Sequence, residues 1–291
     1  MAASQRTLQG KVCIVSGATR GLGEGTAFGL AHMGATVIII GRNPQRIQNT
    51  LVRLHKAGVG PAEMCGFQAD LASQADVRRV AGEILAQYPC IDVLVNNVGA
   101  TLMNYQSSAD HIEMTWALNY LNHFLLTYLL LGGLKSAASL HGEARIIELT
   151  SSIYRLSSSN FHQRQNQQLY NGVIAYAQSK RAIIAYTVEM ARRLSGSGVT
   201  INAMTPGFVK TGIATQNSRL IQQVMRMVAH FSLPVDEGVQ SILSLATAQE
   251  LCGTSGKYYY QYRQMPDDPS CSDPAVTSHL WQISEQMTGL S

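Results

Sequence analysis

Ser16-Gly17-Ala18-Thr19-Arg20-Gly21-Leu22-Gly23 follows the short apolar run Val12–Val15 and opens a segment of helical length. Strand, glycine turn and helix in that order make a phosphate cradle. The glycines let the backbone approach a pyrophosphate, and the helix start offers free N–H groups with about half a positive charge. Ser16, Gly17, Thr19, Arg20, Gly21, Leu22 and Gly23 are therefore candidate cofactor-binding residues. A glycine trio also suits a tight turn that binds nothing, so the surrounding chain has to decide.

Working outward, Val37–Ile40, Ile91–Val95, Ile146–Leu149 and Val199–Ala203 are further short apolar runs bounded by turn residues. Helix-length segments such as Gly21–Met33, Pro44–Ala57 and Ser73–Tyr88 lie between them. Apolar strands alternating with helices specify a parallel sheet covered on both faces. The alternation runs from residue 11 to about residue 205 without a linker. The expected fold class is α/β, a single doubly wound Rossmann-type domain over residues 1–291 with about seven strands. Tyr258-Tyr259-Tyr260 is expected as the last strand. Residues 261–291 then form a C-terminal tail with a short amphipathic helix around Leu280–Met287. The tail can dock on the body or on a second copy of the chain, so a homo-oligomer stays open.

Composition narrows the function classes. Of 291 residues, 46% are hydrophobic and 14% charged, which suits a globular protein with a large core. The net charge of +4 comes from scattered basic residues, so a nucleic-acid partner is disfavoured. Cys13, Cys65, Cys90, Cys252 and Cys271 are odd in number and contain no Cys-x-x-Cys pair; buried free thiols in a reducing compartment are expected, with no metal site. The first ten residues lack the apolar core of a secretory signal. The apolar stretch Leu125–Leu134 is shorter than the roughly 20 residues a membrane span needs and reads as a buried helix. A cytoplasmic protein without a transmembrane segment is the expectation, with peripheral membrane association left open.

The end of the second strand selects the nucleotide. An acid about 20 residues past the glycines would grip a ribose 2′-hydroxyl. Gly41-Arg42-Asn43 stands there instead, with a guanidinium fork suited to phosphate. Arg20 can close on the same group, so NADP(H) is expected over NAD(H); alternatively both arginines are merely solvated. Asp70-Leu71 can present a carboxylate to an adenine amino group, and Asn96-Asn97-Val98-Gly99 ends the fourth strand where ligands collect. Both stretches also read as turn chemistry.

Tyr176 and Lys180 are four residues apart on one helix, so a phenol and an ammonium share a face. A nearby cation favours the ionised phenol and makes it a better proton donor and acceptor near neutrality. Thr150-Ser151-Ser152 ends the fifth strand and opens onto the same crevice. A serine hydroxyl there can donate to a carbonyl oxygen while the tyrosine passes it a proton, with hydride from a reduced nicotinamide. Asn119 can hold a water linking Lys180 to solvent; a lone helical Asn also reads as structural. A serine hydrolase lacks its Gly-x-Ser-x-Gly elbow here.

With these residues in hand, the chain resembles the short-chain dehydrogenase/reductase family over residues 11–260. Ser16-Gly-x-x-x-Gly-x-Gly is similar to the family's Thr-Gly-x-x-x-Gly-x-Gly, and Asn96–Gly99 to its Asn-Asn-Ala-Gly. The resemblance implies catalytic roles for Asn119, Ser152, Tyr176 and Lys180 and adenine contact by Asp70. It also implies nicotinamide-side contact by the Pro206–Thr211 stretch, through Pro206, Gly207, Val209 and Thr211. Ser152 is preferred over Ser151 because the family's serine is usually the second of such a pair. Ser157–Asn171 reads as a polar surface loop, and the long Ser152–Tyr176 separation, whose excess lies in it, looks like the retinol dehydrogenase branch. Many members of that branch carry an N-terminal membrane anchor, which is not seen here. Glu148 stands where related strands often carry a neutral residue; pairing with Arg145 or an outward face is the expected explanation.

Residues 212–234, with Ile213, Leu220, Met225 and Phe231 at roughly helical spacing, are expected as a substrate lid suited to a lipophilic carbonyl or alcohol. A helix packed on the body fits the same pattern. The overall expectation is an NADP(H)-dependent oxidoreductase; a dinucleotide-binding regulator of the same fold is the alternative.

Overall fold

The structure is a computed structural model that describes residues 7–57, 64–161, 167–207 and 234–290. The expected lid lies outside the described residues apart from Pro234, as do the candidates Val209 and Thr211. In chain order the main elements are β1 (Val12–Ser16), α1 (Gly21–His32), β2 (Thr36–Gly41), α2 (Pro44–Lys56), β3 (Met64–Gln68) and α3 (Gln74–Gln87). Then come β4 (Val93–Asn96), α4 (Met114–Trp116), a π-helical turn (Ala117–Leu121), α5 (Asn122–His141) and β5 (Ala144–Leu149). The remainder is α6 (Gly172–Arg193), β6 (Val199–Thr205), α7 (Val235–Thr247), β7 (Tyr258–Tyr260), β8 (Arg263–Gln264), α8 (Pro269–Ser272) and α9 (Pro274–Thr288).

The sheet runs β3-β2-β1-β4-β5-β6-β7-β8. All neighbours are parallel except the last pair, where two residues of β8 return antiparallel to β7. The strand order reverses between β1 and β4, which pair through Cys13↔Val93, Ile14↔Leu94 and Val15↔Val95. That reversal creates a crevice at the carboxyl edge of the sheet. β1, β2, β4, β5 and β6 are almost wholly buried because helices cover both faces, and this is why they read as unbroken apolar runs.

Two apolar layers sandwich the sheet. One is built on α3, α5, α6 and α9, with Phe124, Tyr186 and Trp281 at its centre. The other lies under α1 and α7, around Leu30, Ile39 and Leu243. The C-terminal tail docks on the body: Trp281 packs edge-on to Phe124 at 5.0 Å and stacks with Tyr186 at 6.3 Å. Tyr120 and Ser284 hydroxyls meet at 2.6 Å, and Gln74 donates to the Met287 carbonyl at 2.8 Å. All five cysteines are free, but only Cys13 and Cys271 are buried, and Cys252 is exposed. No helix among the described residues is long and apolar enough to cross a membrane.

Candidate active site

The glycine turn is packed against the end of β4. Gly17 has φ +66°, and a Cβ there would lie 2.8 Å from Val98 Cγ2. A Cβ at Gly23 would lie 2.5 Å from both Asn97 Nδ2 and the Gly17 carbonyl. Ser16 Oγ accepts the Asn97 and Val98 N–H groups at 3.0 and 3.3 Å, while Asn97 Nδ2 donates to the Ser16 carbonyl at 2.9 Å. Ser16 and Asn97 thus spend their side chains fixing the two strand ends to each other. The first turn of α1 has Arg20 at its cap and no side-chain acceptor on its N–H groups, which leaves it suited to an anion.

Beside this turn, Thr19, Arg20, Arg46, Asn49 and Arg53 line a cavity of about 200 Å³. Arg53 is paired with Glu24. Arg46 was not among the sequence candidates; its signal was its place in the first turn of α2, three residues after Asn43. Asn43 caps α2, its Oδ1 accepting the Arg46 N–H at 2.9 Å. Arg42 is exposed at the carboxyl end of β2. Asp70 lies two residues beyond β3 rather than at its end, and one of its carboxylate oxygens accepts the Ala72 N–H at 3.1 Å. Leu71 is buried, Thr19 and Leu22 are part-buried, and Pro206-Gly207 follows β6 at the same edge. Asn96 is fully buried, its amide donating to Thr127 Oγ1 at 2.8 Å and Glu148 Oε1 at 2.7 Å. It belongs to the support beneath the crevice.

The expected acid–base residues come together, with one correction. Tyr176 and Lys180 lie on successive turns of α6, and Lys180 Nζ is 5.7 Å from the Tyr176 ring centroid. Ser151 is the serine whose hydroxyl acts on the Tyr176 phenol, drawing it down. Ser152 instead starts a 3₁₀ turn, Ser152–Leu156, that Ser151 caps. β5 ends at Leu149, so two residues later the chain is already turning. The serine that meets the phenol is the first of the pair.

The electrostatics also depart from the sequence reading. Burial pushes the Tyr176 phenol up to about 12, and the Ser151 hydrogen bond only partly offsets it. Desolvation pulls Lys180 down to about 8, against an opposing pull from Glu148. Lys180 Nζ also donates to the Leu149 carbonyl at 2.9 Å, which fixes where the ammonium sits. Gly99 makes room for this ammonium, since a Cβ there would stand 3.2 Å from Nζ.

Asn119 sits in the π-helical turn, where one extra residue is wound into the helix. Its Oδ1 accepts the Ala100 N–H at 2.8 Å, and its Nδ2 donates to the Ala100 carbonyl at 2.9 Å and to Ser179 Oγ at 3.1 Å. The side chain is a bracket between the β4 exit and α6. Ser157–Asn171 also differs from a polar surface loop in its described parts. Phe161 is buried 6.0 Å from Trp116, and the Tyr170 hydroxyl donates to the Leu102 carbonyl at 2.9 Å.

The short chain dehydrogenase family model matches residues 11–221. The chain is 37% identical to retinol dehydrogenase 14 of Homo sapiens, over 97% of this chain and 88% of that protein.

The chain belongs to the short-chain dehydrogenase family, in its retinol dehydrogenase-like branch.

Retinol dehydrogenase 12 of Mus musculus is 33% identical over 97% of this chain and 88% of its own length. Among solved structures, a short-chain dehydrogenase from Burkholderia cenocepacia in complex with NADP aligns with a TM-score of 0.66 and 26% identity, covering 88% of this chain and 97% of that one. This short-chain dehydrogenase therefore carries its glycine turn and its Tyr-x-x-x-Lys pair at the sheet edge where the family's fold gathers ligands.

Proposed function

We propose that the protein is an NADP(H)-dependent oxidoreductase that transfers a hydride between nicotinamide and a carbonyl/alcohol substrate, with Tyr176 as acid/base. The observation that carries this reading is the meeting of the Ser151 hydroxyl, the Tyr176 phenol and the Lys180 ammonium at the carboxyl edge of β5.

The cofactor cradle fits a dinucleotide phosphate. The α1 N-terminus has no side-chain cap, and the adjoining cavity is lined by Arg20, Arg46 and Arg53. Arg42, Arg20 and Arg46 would hold a 2′-phosphate, and the α1 amides a pyrophosphate. When bound, the nicotinamide supplies or accepts the hydride. Ser151 donates a hydrogen bond to the substrate oxygen. Tyr176 gives that oxygen its proton in reduction and withdraws it in oxidation. Lys180 would hold the cofactor's ribose hydroxyls, and its ammonium would steady the phenolate that reduction leaves behind. Asn119 and Gly99 support this group from below through Ala100 and the lysine pocket.

Similarity to retinol dehydrogenases favours a lipophilic alcohol/aldehyde pair, so retinal and retinol are the first substrates to try. The test is NADPH and NADH oxidation against retinal, steroids and a panel of aldehydes and ketones, with Arg42→Ala in parallel. The expected result is turnover with NADPH, and an Arg42→Ala loss of about ten-fold or more in kcat/KM for NADPH but little for NADH. NADPH binding with no NADPH oxidation by any carbonyl in the panel would identify a regulator. Equal losses with both nucleotides would remove the phosphate contact.

A further inference from the structure

Glu148 has no part in the chemistry above, yet it is a carboxylate with zero exposure one residue from the end of β5. Neither sequence explanation holds, since Arg145 pairs with Glu143 and the Glu148 face is interior. Its register partner on β4 is Asn96, which donates to Oε1 at 2.7 Å. Its other oxygen lies 2.7 Å from Nδ1 of His123, also fully buried, on α5. His123 Nε2 is 2.9 Å from the Val98 carbonyl. A carbonyl can only accept, so the ring donates from Nε2 and presents Nδ1 to the carboxylate.

The two ends of this network fall next to Lys180. Leu149, which follows Glu148, offers the carbonyl that Lys180 Nζ donates to. Gly99, which follows Val98, forms the wall against the same ammonium. The network thus ties the exits of β4 and β5 together at the two backbone positions that define the lysine's place. We propose that Glu148, held by His123 and Asn96, is a positioning residue for Lys180, placing its ammonium and sustaining its charge without touching substrate or cofactor. The proposal rests on the reading of Lys180 as a catalytic group.

The titratable groups facing Glu148 are His123 from α5, Tyr120 from the π turn, and Lys180 and Tyr186 from α6. Tyr120 and Tyr186 are pushed up by burial, so they stay neutral across the working range. Lys180, pulled down by burial, changes its charge near pH 8. The sign follows. A buried anion stabilises the ammonium, so neutralising Glu148 lets Lys180 lose its proton at lower pH.

The experiment is the pH profile of kcat/KM for NADPH-dependent carbonyl reduction by wild type, Glu148→Gln, Glu148→Asp and Lys180→Arg, the last alone and with Glu148→Gln. Glu148→Gln should move the alkaline limb down by about one pH unit, a roughly ten-fold larger loss on the alkaline side, and Glu148→Asp should largely restore it. In the Lys180→Arg background, where the charge cannot be lost, Glu148→Gln should leave the profile's shape unchanged. If Glu148→Gln does not fold, His123→Gln carries the test. It removes the imidazole that holds one carboxylate oxygen, so the limb should move here too, and an unmoved limb would overturn the positioning role. A uniform loss at every pH with an unmoved limb would overturn the positioning role while leaving the catalytic reading intact. Full activity in Lys180→Ala would instead remove the catalytic reading.

Discussion

At the residue scale, the decisive correction is one position long. Ser151 and Ser152 are chemically identical, and only the path of the chain after β5 says which hydroxyl meets Tyr176. Ser151→Ala should therefore lower kcat by about 10²-fold or more, in the range of a lost proton-transfer or oxyanion partner. Ser152→Ala should stay within a few-fold of wild type. Steady-state kinetics of the two single variants decide it, and the reverse ranking would return the role to Ser152. Tyr176 and Lys180 were legible because an i, i+4 pair needs only a helix. Glu148 was not, because its partner His123 lies 25 residues away and meets it across the sheet face. Long-range pairing of this kind leaves no local pattern.

At the scale of elements, most boundaries follow from composition. α2 begins where Asn43 precedes Pro44, a cap followed by a residue with φ already set, and its bounds fall within a residue of the expected Pro44–Ala57. The π turn at Ala117–Leu121 could not be read in the same way. Its sequence, Ala-Leu-Asn-Tyr-Leu, is helical by any local measure, and the extra residue serves the Asn119 bracket to Ala100. The stretch before α6, Ser157–Asn171, reads in sequence as a polar surface loop. Instead Gly172 lets α6 start against the 97–113 segment, since a Cβ there would collide with the Leu102 carbonyl. Gly172→Ala should destabilise the fold by about 1–3 kcal/mol, read as a lower urea midpoint. It should also raise KM by disturbing the crevice wall that Tyr170 anchors. An unchanged midpoint would mean that this junction yields freely.

At the scale of the whole molecule, the doubly wound sheet was legible from the alternation alone, because burial on both faces writes continuous apolar strands. The two-residue antiparallel β8 was not, since Arg263 and Gln264 are exposed and carry no strand pattern. Where the tail goes also needed three dimensions. α9 completes the α5/α6 layer, with Arg193 4.0 Å over the Trp281 ring and Trp281 itself 4% exposed. The tail is thus part of the core. Trp281→Ala should cost about 3–5 kcal/mol and lower Tm, as expected for truncating a buried aromatic. A Tm equal to wild type would show the tail to be dispensable.

The central claim is that the Ser151, Tyr176 and Lys180 cluster carries out hydride transfer between NADP(H) and a carbonyl or alcohol. The most direct measurement supplies NADPH deuterated at the transferable position together with retinal and follows the alcohol product by mass spectrometry. Wild type should deliver one deuterium per product, and Tyr176→Phe should slow product formation by about 10²–10⁴-fold. Alcohol without deuterium, or an undiminished rate in Tyr176→Phe, would contradict the account.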